Sequence, residues 1–150
     1  MEFHPDTPSA EALQAALARL TPEAQPAWGK LDAAGMVAHV NKFMELYLGA
    51  VRMGGFTALL ARSVGKVFLK RVGRTSPLET PRNLATAPVL RVASGADFEG
   101  EVARFAELLG QMESLSGPYK HPVYGVMDAE DAKGLVRHHT AHHFHQFGLI

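Results

Sequence analysis

The stretch HHTAHHFHQFG, residues 138–148, holds five of the chain's eight histidines. On a helix turning about 100° per residue, these imidazoles divide into two sets. With His138 at zero, Ala132, Leu135, Val136 and Phe147 centre near about 130°, and His139 and His143 fall at about 100° and 140°. That pair faces the core, one turn apart. His138, His142 and His145 cluster near zero beside Asp131 and read as surface residues. His138 and His142 are also four apart, which suits an adventitious exterior metal site. The interleaved Phe144, Gln146 and Phe147 exclude an expression tag, which would be an unbroken histidine block.

Two inward imidazoles at i and i+4 have the spacing of a chelate, but two ligands make a poor site. The only histidine on another predicted helix is His39, beside the apolar face set by Met36, Val40, Phe43 and Tyr47. Three imidazoles with an open fourth position are the usual donor set of a catalytic metal rather than a structural one. Neutral imidazole suits zinc, nickel, copper or iron, so spacing does not choose the ion. The competing reading is that each histidine is a satisfied core residue.

Working back along the chain, helical spacing recurs and strand signals are poor. Ser9 caps a helix over AEALQAALARL, and Asp32 caps a longer one over AAGMVAHVNKFMELYLG. FTALLARSVGKVFLKRV, 56–72, is a further amphipathic helix. Residues 73–93 form a long irregular loop rich in proline and threonine, of the kind that serves as a lid or binding element. Asp97 caps FEGEVARFAELLGQME. LSGPYKHPVYGV is a second loop, and Asp128 caps the last helix, which Gly148 ends. Each of four helices carries one apolar stripe, so the expected fold is all-α: an antiparallel up-down bundle in one domain, with 56–72 as an inserted helix.

Composition narrows the function classes. The formal net charge is zero, which offers no bulk attraction to nucleic acid or anionic lipid. There is no cysteine, so disulfides, thiolate ligands and a cysteine nucleophile are all excluded. No apolar run approaches the roughly 20 residues of a membrane span, and the N-terminus lacks a secretory pattern. The expectation is a cytoplasmic protein acting on a small molecule, with no nucleic-acid or membrane partner.

Several motifs now combine. MVAHV on an early helix with HTAHHFHQ on the last resembles the DinB/YfiT superfamily. Closer still is the resemblance to an uncharacterised branch with a W-G-K connector, an M-x-x-H helix, an H-P-x-F-G-like loop and a terminal H-x-x-H-H-x-x-Q-F-G. Here these are Trp28 to Lys30, Met36 to His39, His121 to Gly125, and His139 to Gly148. The resemblance spans roughly residues 26–148. It implies a four-helix bundle with His39, His139 and His143 on one divalent metal, and by analogy a homodimer. One departure touches the rim: Phe144-His145 stands where the superfamily pattern H-x-x-x-H-R-G-Q has Arg-Gly.

Superfamily members include transferases and isomerases that use low-molecular-weight thiols such as bacillithiol or mycothiol. A chain without cysteine would need such a sulfur brought in as a cosubstrate, to attack an epoxide or alkyl halide. Zinc, nickel or iron could each serve that chemistry. The alternative is a hydrolase using metal-activated water, although Thr140 stands where an H-E-x-x-H protease carries its glutamate. A third reading is a non-enzymatic metal-binding or stress-related bundle. A haemerythrin-like di-iron site needs inward carboxylates, and Glu45 falls on the polar side of its helix.

Gln146, one turn beyond His143, is a candidate to orient a ligand, and otherwise a polar helix end. His121 and Tyr124 are candidates for general acid–base work or substrate contact, with an ordinary turn as the plainer reading. Trp28 reads as a packing anchor and His4 as tail. Residues 51–82 carry seven basic side chains against one acid, Glu79. The bland reading is a solvated face. The functional one has Lys66 and Lys70 steering an anionic cosubstrate.

Overall fold

The computed structural model describes residues 1–51, 67, 69–84, 86–121 and 124–150. The chain is predominantly helical, with α1 at Ala10–Leu17, α2 at Ala33–Tyr47, α3 at Phe98–Glu113 and α4 at Ala129–Gln146. Residues 69–74 are also helical. Residue 67 is helical too, and the remainder of the expected 56–72 helix, Lys66 included, lies outside the described residues.

Each helix starts where a side-chain oxygen satisfies a backbone N–H that has no partner within the helix. Ser9 accepts from Ala12 N, Asp32 from Gly35 N at 2.7 Å, Asp97 from Gly100 N and Asp128 from Glu130 N. Of the loop expected over 73–93, residues 73 and 74 belong instead to the helical turn before it; the described residues from 75 to 93 are irregular and hold two short 3-10 turns at Pro77–Glu79 and Pro88–Leu90. Both begin on proline, whose fixed φ suits a first helical position.

Two expectations need correction. LSGPYKHPVYGV is not simply a loop. Strands β1, Pro118–His121, and β2, Gly125–Asp128, pair antiparallel, with Tyr119 opposite Met127 and His121 opposite Gly125. The fold is therefore not purely α. Pro118, Gly125 and only four residues per strand hide the alternation that would announce a hairpin.

The second correction concerns α4, which does not bury one stripe. Leu135, Val136, Thr140, Ala141 and Phe144 are all buried, and they point around the whole helix. The helix is surrounded by α1, α2, α3, β2 and the first 3-10 turn. Its N-terminal half also meets the start of the chain. Phe3 lies so close to Gly134 that a Cβ there would sit 2.1 Å from its ring. His4 is accordingly not a free tail, since its N–H donates to Gly73 O at 2.8 Å.

The main core joins Met36, Val40 and Met44 of α2 to Phe105, Leu109 and Met112 of α3 and to Phe144 of α4. Leu46 and Leu90 form a small second cluster that fastens the irregular segment to α2. Among the described residues, no helix is long and apolar enough to cross a membrane.

Candidate metal centre

His39 projects from α2, and His139 and His143 project from α4, one turn apart. Their candidate donor nitrogens lie within 4.8 Å of one another, and Nε2 of His39 is 3.2 Å from Nε2 of His139. Metal–nitrogen bonds of about 2.0–2.1 Å place tetrahedral donors roughly 3.3 Å apart, so this pair already has ligand spacing.

The other nitrogens decide what the donors can do. Nδ1–H of His39 donates to Leu90 O at 3.0 Å, and Nδ1–H of His143 donates to Gln146 Oε1 at 3.0 Å. These bonds assign the proton to Nδ1 on both rings and leave the Nε2 lone pairs for a cation. Without an ion, Nε2–H of His139 donates to the Nε2 lone pair of His39; with its proton moved to Nδ1, His139 would offer a third neutral donor, and a set of three imidazole nitrogens suits a divalent transition metal.

Burial reinforces this. Desolvation pushes His139 well below the ordinary imidazole range, with help from the neighbouring His143 and His39. It brings His143 down to about 3 and lowers His39. All three rings are neutral at pH 7, the form that binds metal. Phe43 stacks on His139 with ring centres 3.9 Å apart and fixes its plane.

Gln146 is held as firmly as the ring it supports. Its Nε2 donates to Trp28 O, and its backbone carbonyl accepts from Ala27 N at 2.8 Å. Gly29 makes this approach possible. Its φ is +88°, and a Cβ there would lie 2.3 Å from Gln146 Nε2. The W-G-K connector is thus part of the support for His143.

The three histidines open into a cavity of about 400 Å³. Tyr124 lines it; His121 does not. His121 is fully buried behind it, accepts from Tyr124 N at Nδ1 (3.1 Å) and packs against the Tyr47 ring. Desolvation lowers it to about 4. Lys70 is exposed and is not among the lining residues. Trp28 does line the cavity, with the Arg82 guanidinium 4.2 Å above its ring.

The reading of His138 as a surface residue is overturned. It is 2% exposed, and its Nε2–H donates to Thr75 O at 2.9 Å. His142 also lines the cavity and donates to Pro77 O at 3.3 Å. Both rings meet the irregular segment rather than forming an exterior site. The helical wheel missed this because the segment covers the face it marked as polar. Glu45 bonds Arg104 on α3, away from the three histidines.

A family described as protein of unknown function (DUF1569) matches residues 6–148. The chain belongs to the DUF1569 family. No curated protein and no solved structure matches it significantly. The DUF1569 match covers the connector, α2, the hairpin and α4, so every residue of the histidine site and its supports lies within it.

Proposed function

We propose that this chain is a metal-dependent enzyme of DinB-like, up-down four-helix-bundle architecture, in which His39, His139 and His143 hold one zinc, nickel or iron ion. The observation that carries the reading is the convergence of three neutral imidazoles, two with their protons fixed on the far nitrogen, at the base of a cavity. A bound divalent cation there supplies Lewis acidity that ionises a coordinated thiol or water near neutral pH.

Of the two chemistries, thiol transfer to an electrophile has more support than hydrolysis. No carboxylate lines the cavity among the described residues to accept a proton from water. Thr140 bonds the carbonyl of its own helix at Val136 and is fully buried. In this reading Gln146 positions His143, Tyr124 touches the bound substrate, and His121 positions Tyr124 through its backbone. Lys70 keeps at most a steering role outside the cavity, and Lys66 is proposed beside it from the sequence alone. A cytoplasmic homodimer completes the proposal, supported by the absence of cysteine and by the DinB/YfiT resemblance.

Elemental analysis of untagged protein tests the centre. One ion per chain, lost in His39→Ala, His139→Ala and His143→Ala but kept in His145→Ala, is the expected result. Turnover of an epoxide or alkyl halide only when thiol is present selects transfer. Turnover of an ester in water alone selects hydrolysis.

A further inference from the structure

The charge pattern of the cavity says what kind of molecule it accepts. Among the described residues, no Asp, Glu, Lys or Arg lines it. Its wall is mainly apolar, built by Trp28, Leu31, Phe43, Leu69, Leu90 and Leu135. Arg82 lies over the Trp28 ring and acts electrostatically on His142, but it is not among the described lining residues.

The polar groups at the base are already engaged. The N–H groups of His138, His142 and His39 go to the carbonyls of Thr75, Pro77 and Leu90. Both ends of the Gln146 amide are taken, one by His143 and one by Trp28 O. What remains for a ligand is the open side of the three-histidine centre, the apolar wall, and uncharged groups such as Tyr124, Thr80 and Asn83. Away from the open side of the centre, a carboxylate or ammonium held against this wall would lose much of its hydration and meet only neutral groups among the described lining residues. The volume, about 400 Å³, lies near the lower end of the range for ligand sites.

We infer that the cavity takes an uncharged, mainly apolar small molecule with a single thiol head, and discriminates against thiols that carry carboxylate or ammonium groups. This rests on the proposed metal centre for the head group, but not for the body of the ligand. It narrows the thiol class: a peptide-like or amino-acid-derived thiol is the wrong shape of charge for this wall.

A matched pair of probes tests it: 4-methylbenzyl mercaptan and 4-(mercaptomethyl)benzoate, which share a skeleton and differ in one carboxylate. Protein loaded with Co²⁺ is titrated with each, and binding is followed by the cobalt absorption bands and by Trp28 fluorescence, the chain's only tryptophan. The neutral thiol is expected to bind at least tenfold more tightly. Leu84→Arg, on the exposed loop that lines the cavity, should shrink that difference at least fivefold. Equal or tighter binding of the carboxylate by wild type overturns the inference.

A second pair, p-xylene and 4-methylbenzoate on metal-free protein, decides the matter even if Co²⁺ does not bind. Quenching or enhancement of Trp28 by p-xylene alone supports the inference while the metal reading falls. An equal response to both, or none to either, overturns it.

Discussion

Gln146 accepts the Nδ1 proton of His143 at 3.0 Å while its own amide nitrogen donates to the Trp28 carbonyl. A loop carbonyl, a side-chain amide and an imidazole thus form a line that ends at the proposed ion. Partners of this kind set tautomer and ring angle, and their removal typically weakens metal binding 10–100-fold. Gln146→Met should therefore lower metal affinity by about one order of magnitude or more, with helix content unchanged by circular dichroism. Competition with a chelating dye would show it. An unaltered affinity would mean that Phe43 and packing alone hold His143 and its neighbour in place.

Gly29→Ala should act on the same line from the other end. The substitution combines a left-handed φ with a side-chain clash against Gln146. Strain of this kind costs on the order of 1–3 kcal/mol. The expected signature is a lower urea midpoint together with weaker metal binding, whereas Gly95→Ala, with open space around its Cβ position, should leave metal binding as it was.

Acid should destabilise the metal-free protein well before its carboxylates titrate. The folded values of His121 and His143 are pushed down to about 4 and about 3 from an ordinary 6.5. Above pH 6.5 the rings are neutral whether folded or not, and their contribution is fully present. As pH falls below that, the unfolded chain takes up protons first, and stability is lost progressively toward the folded values. For His121 alone the loss is up to about 3 kcal/mol. Urea unfolding between pH 7 and pH 4 measures it. His121→Gln should flatten part of the slope, and a level profile would contradict the burial of these rings.

Phe144→Ala tests the placement of α4. Phe144 is fully buried and lies 5.8 Å, ring centre to ring centre, from Phe105. Truncation of such a ring costs about 3–5 kcal/mol. The partly buried His145 beside it, resting on Trp28, should cost far less on replacement by alanine. Comparable losses at the two positions would require a rotated helix.

Much of this was legible in the residues alone. Ser9, Asp32, Asp97 and Asp128 mark the helix starts because a cap is a local interaction, spanning two or three residues. The i, i+4 pair His139 and His143 is visible for the same reason, and His39 follows as the one histidine on another helix. The paired strands at Pro118–His121 and Gly125–Asp128 escaped because they are short and begin at proline and glycine.

The face of His138 escaped for a different reason. A helical wheel ranks sides by hydropathy, yet α4 is enclosed on every side, and part of its cover is backbone carbonyl at Thr75 and Pro77. A carbonyl is present at every position of a chain, so no residue type announces it. The support of His143 by Trp28 O was hidden likewise, although Gly29 gave a trace of it as the small residue that a close backbone approach demands.

The bond from His39 to Leu90 O carries one more consequence. A single peptide oxygen, at the end of a stretch with little regular structure, decides which nitrogen of a ring on a distant helix keeps its proton. Drift in loops is ordinarily neutral. Here, insertions or deletions between Thr75 and Leu90 would be felt as a change in donor strength without altering any donor, so that stretch should tolerate new side chains far better than new lengths.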